Sequence, residues 1–262
     1  MKIVYFLLMI ICFLSCGSKI DQNGQSDQKP GAFETASVSQ NDDEVDILLP
    51  AGYRGTEPSE FRHMYLEDWY DFYKDPDSED FYLKKADLII EKFYDDCLQD
   101  STTGVSSKRE SLLLIEGLTP KNSLIKSIPV SKQWVWVGEK ASFEFNGKKY
   151  TFRGDGIVLK SDSAYLDGSD EPQRWDEVAD YKLYLSEDGV DGEQLLVDVP
   201  KFEDTFVQIL WIGDLDEDGK PDFILDVSPH YEYKRVILFL SSKAGNGEIV
   251  KCAGTSEYGF DC

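Results

Sequence analysis

From Ser131 onward the chain is a succession of short apolar runs cut at close intervals by glycine, asparagine and aspartate, a pattern that confines it to antiparallel β-structure. The sharpest instance is "ASFEFNGKKYTF" (141–152), where Asn146-Gly147 reads as a two-residue type I′ turn. That turn sets Phe143 opposite Tyr150 and Glu144 opposite Lys149, so one face of the hairpin is aromatic and the other carries opposite charges. "DYKLYLS" and "QLLVDVP" flank the Asp/Gly-rich "EDGVDGE" as a second hairpin. "TFVQILWIG", "DFILDVS", "RVILFLSS" and "EIVKC" add further strands, and "SKQWVWVGE" alternates, placing Trp134 and Trp136 on one side and Val135 and Val137 on the other.

The N-terminal half is less regular. In "TEPSEFRHMYLEDWYDFY" (56–73), Phe61, Tyr65, Trp69 and Phe72 recur at helical spacing, and Thr56 with Pro58 marks a helix start. "FYLKKADLIIEKFYDDC" (81–97) suits a helix through Tyr82, Ala86, Ile89 and Phe93, or strands through its aliphatic and aromatic runs; the β-rich remainder favours strands. "ESLLLIEGL" reads as a buried strand. No repeat of about 20–50 residues is visible, which argues against a propeller or solenoid. The expected fold is mainly β, an antiparallel sandwich or open barrel with an N-terminal helical segment. Its single domain would span residues 47–262, mixed over 47–125 and β over 126–262.

Between two of these strands lies "GDLDEDGKPDF" (213–223), with five acidic side chains between Asp214 and Asp222. Asp214, Asp216 and Asp218 alternate, Gly219 follows, and Asp222 closes a D-x-D-x-D-G-x-x-D pattern. Carboxylates gathered this densely repel one another unless a cation sits among them, and calcium takes about six to eight oxygens. The expected ligands are Asp214, Asp216, Asp218, the Lys220 backbone carbonyl and Asp222; Glu217, at an even position, should point away. The loop is not an EF-hand, because Leu225 stands where that motif has glutamate and the flanks read as strands. "IGDLDEDGKPDFIL" resembles the calcium loop of FG-GAP and VCBS-type repeats. That resemblance covers about twenty residues in one copy, so it implies the ion site and not a propeller.

The chain opens "MKIVYFLLMIICFLSCGSK", a lysine followed by an apolar run from Ile3 to Leu14, the layout of a secretory signal and too short to span a bilayer. Phe13-Leu14-Ser15-Cys16 resembles the lipobox of bacterial lipoproteins. The resemblance implies a signal peptide over 1–15, cleavage before Cys16 and a diacylglycerol on its sulfur. A tether rich in Ser, Gln, Asp and Asn would follow over 16–46. The expected location is therefore the bacterial cell envelope, anchored by lipid, at the outer membrane. Among the remaining cysteines, Cys252 and Cys262 flank "AGTSEYGFD", whose two glycines allow a fold-back, and that pair is favoured; Cys97 bonded to one of them is the alternative.

With 27 basic and 50 acidic residues the net charge is −23, which argues against nucleic acid and favours cations or basic partners. No Ser/His/Asp signature, phosphate loop or HExxH occurs. These features together lead to the expectation of a calcium-stabilised, non-enzymatic envelope lipoprotein, a binding or structural module for a glycan or protein ligand. Two rival readings stand beside it. One is a glycan binder using Trp134, Trp136, Tyr231 and Tyr233; the other is a hydrolase using paired carboxylates.

Overall fold

The computed structural model describes residues 45–130, 132–165 and 171–260; the expected signal peptide, Cys16 and most of the tether lie outside them. The chain is mainly β. In its N-terminal half lie β1 (Asp46–Leu48), β2 (Ala51–Tyr53), β3 (Tyr70–Lys74), β4 (Phe81–Lys85), β5 (Leu88–Asp95), β6 (Asp100–Ser107), β7 (Leu113–Glu116) and β8 (Leu124–Ile128). The remainder supplies β9 (Lys140–Phe145), β10 (Lys148–Ala164), β11 (Gln173–Glu187), β12 (Gln194–Lys201), β13 (Gln208–Asp214), β14 (Asp222–Asp226), β15 (Tyr233–Leu240) and β16 (Lys251–Gly259).

Nine strands form one antiparallel sheet in the order β1-β7-β3-β4-β8-β13-β14-β15-β16. It curls until its edges meet: the Leu49 amide donates to Ser256 Oγ across 2.9 Å, closing a barrel-like wall without a β1–β16 ladder. A four-stranded sheet, β12-β11-β10-β9, packs on one outer flank, and a three-stranded sheet, β2-β6-β5, lies elsewhere on the wall. The expected division at 125/126 is no boundary, because β8 joins β4 on one side to β13 on the other. Val45, within the expected tether, is buried, and Asp46 pairs with Glu116.

Strand alternation builds two cores back to back. Ile224 of β14 and Val236, Leu238 and Leu240 of β15 point into the barrel with Phe72, Leu83, Leu113 and Trp211. Their neighbours Phe223, Leu225, Ile237 and Phe239 face the four-stranded sheet, meeting Phe152, Leu183 and Leu185. With both faces covered, every residue of β14 is buried, and its sequence reads as an unbroken apolar run between two aspartates. At about 25 cal/mol per Å² of apolar surface, such a central strand contributes heavily to stability.

The Asn146-Gly147 hairpin forms as expected, with both residues at positive φ and Phe143↔Tyr150 and Glu144↔Lys149 in register. The Phe143 and Tyr150 rings stack at 5.4 Å. The β11–β12 hairpin, strands over 81–97 and the buried strand at 113–116 also form.

Three expectations need correction. The helical stripe over 56–73 is cut short: a 3-10 helix covers Pro58–Leu66, held at its start by the Glu57 amide donating to Glu60 Oε1 (2.7 Å). Beyond it Tyr70–Lys74 becomes β3, because pairing with β4 and β7 on both sides buries Phe72 more completely than a helix face would. Second, 132–139 is not a regular alternating strand. Val135 and Trp136 are both buried, and the segment crosses the sheets: the Val135 carbonyl accepts from Tyr181 Oη (2.6 Å) and the Gln133 carbonyl from the Ile209 amide (2.8 Å). Third, residues 253–259 do not fold back but continue β16 in a ladder with β15 as far as Gly259. Cys97 and Cys252 are each disulfide-bonded, and Cys262 lies outside the described residues.

Candidate metal centre

Asp214 ends β13 and Asp222 begins β14, so the acidic loop is the connection between two central strands. Its entry depends on Gly213. A Cβ at that position would lie 2.2 Å from the Trp211 ring and 2.5 Å from the Lys126 carbonyl, so only glycine lets β13 run between them into the loop. Gly219, at φ +89°, makes the reversal in a backbone region that favours glycine.

The curl brings Asp214, Asp216 and Asp218 together, each offering one carboxylate oxygen within 4.8 Å of the others, an arrangement that can hold a metal ion. They grade outward from buried Asp214 through half-buried Asp216 to exposed Asp218. Asp214 Oδ2 accepts from the Gly219 amide at 3.0 Å, whereas its Oδ1 is buried without a hydrogen-bond partner. An unsatisfied buried carboxylate oxygen costs about 1–3 kcal/mol on its own, a cost that a cation placed against it would remove. Asp216 accepts from the Asp218 amide and from Ser242 Oγ; Asp218 Oδ1 accepts from the Lys220 amide (2.8 Å) and Ser241 Oγ (3.0 Å).

Asp222 stands apart from the cluster. It is fully buried, with Oδ2 accepting from the Leu215 amide (2.7 Å) and Oδ1 from the Ser241 amide (2.8 Å) and hydroxyl (3.0 Å). Its oxygens thus tie the loop's start to the end of β15. The Lys220 amide helps to shape the loop by bonding Asp218. Glu217 points away as expected, taking the amides of Lys121 (2.8 Å) and Asn122 (2.7 Å) and the Asn122 side-chain amide.

Burial pushes the Asp214 carboxyl above its ordinary range, and the Asp218 and Asp216 charges add to it. Burial, reinforced by Asp218, likewise raises Asp216. Burial and then the Asp216 charge drive Asp222 up to about 8. These three carboxyls therefore resist ionising together unless a positive charge joins them.

Residues that the loop's own sequence could not reveal complete the setting. Ser241 and Ser242 arrive from the end of β15, Lys121 and Asn122 from the connection before β8, and Asn146 from the β9–β10 turn, its Nδ2 donating to the Gly219 carbonyl at 2.7 Å. Lys126 also donates to Asn146 Oδ1, so the turn asparagine links β8 to the loop.

A second feature lies elsewhere on the molecule: a cleft of about 910 Å³ between the β10–β11 hairpin and the loops around 202–206 and 228–234. Trp134, Tyr231 and Tyr233, three of the four aromatics considered for glycan binding, line it. Trp136 does not; it packs in the core against Phe206, ring centres 4.1 Å apart. No protein family, no curated protein and no solved structure matches this chain.

Proposed function

We propose that this protein is a calcium-stabilised, non-enzymatic lipoprotein of the bacterial envelope, a binding module in which the ion locks the β13–β14 connection. The observation that carries the ion is Asp214 Oδ1, buried and unpartnered beside the Asp216 and Asp218 carboxylates. Oxygens about 2.4 Å from a common calcium lie no more than about 4.8 Å apart, the spread found among these three. Hard carboxylate oxygens with no histidine or cysteine among them suit calcium better than zinc or copper. The ligands would be Asp214, Asp216 and Asp218, with the Lys220 carbonyl and water completing the shell. Asp222 would act from behind, fixing the loop to Ser241. The resemblance to the FG-GAP and VCBS-type loop supports the same choice of ion.

The ion's role is structural on this reading, because the loop joins two core strands and the groups bonded to its three clustered aspartates are backbone amides and serine hydroxyls. The lipid on Cys16 would hold the domain at the membrane through the polar tether, each buried CH₂ contributing about 0.8 kcal/mol. The test is a thermal melt of the full chain in EDTA, calcium and magnesium. A large rise with calcium alone is expected; identical melting temperatures in all three would refute the ion. Metabolic labelling with a radioactive fatty acid tests the anchor, and a Cys16→Ser chain that still incorporates label would refute it.

A further inference from the structure

We propose that the cleft beside Tyr231 binds uncharged oligosaccharide chains, an inference that rests on the binding-module reading and names its ligand. The floor is rigid and aromatic. Trp175 packs edge-on against Trp136 (5.5 Å) and Phe206 (6.5 Å), and Trp134 packs against the same core while lining the cleft. Tyr231 lines the same cleft and is more than half exposed, and Phe260, also exposed, lines it too. An exposed ring on a fixed loop is costly in water and useful as a platform for the apolar face of a sugar.

The loops that carry these groups are stitched together before any ligand arrives. The Glu203 amide donates to the Pro229 carbonyl at 2.9 Å, and Thr205 Oγ1 to the Ser228 carbonyl at 2.7 Å. The Asp226 carboxylate takes the Ser228 amide at 3.0 Å and pairs with Lys234. Preorganisation of this kind lowers the entropic cost of binding.

Charge selects among sugars. Among the described residues the cleft is lined by six carboxylates and three lysines. Two of those lysines are already held, Lys160 by Asp162 at 3.0 Å and Lys234 by Asp226. The Glu203 and Asp204 charges reach Tyr231, whose phenol is raised chiefly by Glu232 and further by those two. Uronic or sulfated chains would meet net negative charge. A basic peptide would meet three ammonium groups set among its intended partners. Sugar hydroxyls both donate and accept, and the mixed lining offers both roles, so the neutral glycan fits where either charged ligand does not.

The test uses the full chain in a detergent without a sugar head group, in excess calcium, by affinity electrophoresis through xylan, mixed-linkage β-glucan, mannan, α-glucan, alginate and polylysine. Retardation by at least one neutral polysaccharide and not by alginate is expected. Tyr231→Ala should weaken that retardation about threefold to tenfold, the value of one stacked ring. Because Tyr231 is exposed, the variant should keep the wild-type melting temperature and calcium response. The proposal is overturned if no neutral polysaccharide retards the protein, if polylysine or alginate does so instead, or if Tyr231→Ala binds as wild type. Retardation that persists while calcium leaves the melt unchanged would remove the ion reading and leave this one standing.

Discussion

Replacing Asp214 by asparagine should stabilise the protein in one buffer and destabilise it in another. In EDTA, Asp214 Oδ1 is a buried acceptor with no hydrogen-bond partner, in a residue clustered with two other carboxylates. An orphan of this kind costs about 1–3 kcal/mol. Asparagine keeps an oxygen for the Gly219 amide, now in a neutral bond weaker by about 1 kcal/mol. It turns an NH₂ group toward the Asp216 and Asp218 side. The net gain is about 1 kcal/mol, and for a domain of this size that raises Tm by roughly 2–4 °C. In calcium the balance inverts. With calcium at about one hundred times its Kd, the wild type gains about 2.7 kcal/mol, or roughly 5–11 °C. The variant, lacking its innermost ligand, gains little. Scanning calorimetry of both chains in EDTA and in calcium would show the two melting orders crossing. Parallel displacement, with the same difference in both buffers, would mean that Asp214 is not a ligand and that its buried oxygen needs another explanation.

Gly219→Ala should lower the denaturant midpoint by the equivalent of about 1–2 kcal/mol at unchanged slope. A Cβ there meets nothing within 4 Å, so the cost is confined to a φ of +89°. The pH dependence has a definite sign. Asp214, Asp216 and Asp222 are raised above their unfolded values, so the metal-free fold keeps protons that the unfolded chain releases. Its stability therefore falls as pH climbs from about 4 toward the Asp222 value of about 8. Calcium needs the ionised forms, so the gap between melts in calcium and in EDTA should widen over that window; a gap that narrows with rising pH would contradict the assignment. Glu217→Ala should cost about 1 kcal/mol and speed hydrogen exchange at the Lys121 and Asn122 amides it now binds. Calcium affinity should change by less than about tenfold, since that side chain faces away from the cluster.

What could be read from the chain beforehand divides along physical lines. Asn146-Gly147 dictates its own turn and, through it, the pairing of four flanking residues, so the hairpin was legible from twelve letters. The clustering of Asp214, Asp216 and Asp218 was legible for the same reason: carboxylates set at alternate positions of one connection need no distant partner to bring them together. Phe61, Tyr65, Trp69 and Phe72 misled because helical spacing continues past Leu66 while the backbone does not. Two neighbouring strands claim Tyr70–Lys74, and no local pattern announces them. Trp134 and Trp136 alternate in sequence, yet one lines a cleft and the other fills the core because the segment turns across two sheets. Ser241, Ser242, Lys121 and Asn146 reach the loop from three separate connections, and only the completed sheet brings them there.

Strand β14 is covered on both sides, with Phe223 and Leu225 committed to one core and Ile224 to the other. Sliding it by a single residue would exchange those sets and turn two well-filled interiors into two mismatched ones. The span from Asp214 to Asp222 fixes where that strand begins, so its length is constrained as tightly as its chemistry. Insertions and deletions should accumulate in the exposed β11–β12 turn at 188–193 and be purged between 215 and 221. Over evolutionary time, the acidic connection should behave as a ruler, able to exchange letters but not to change their number.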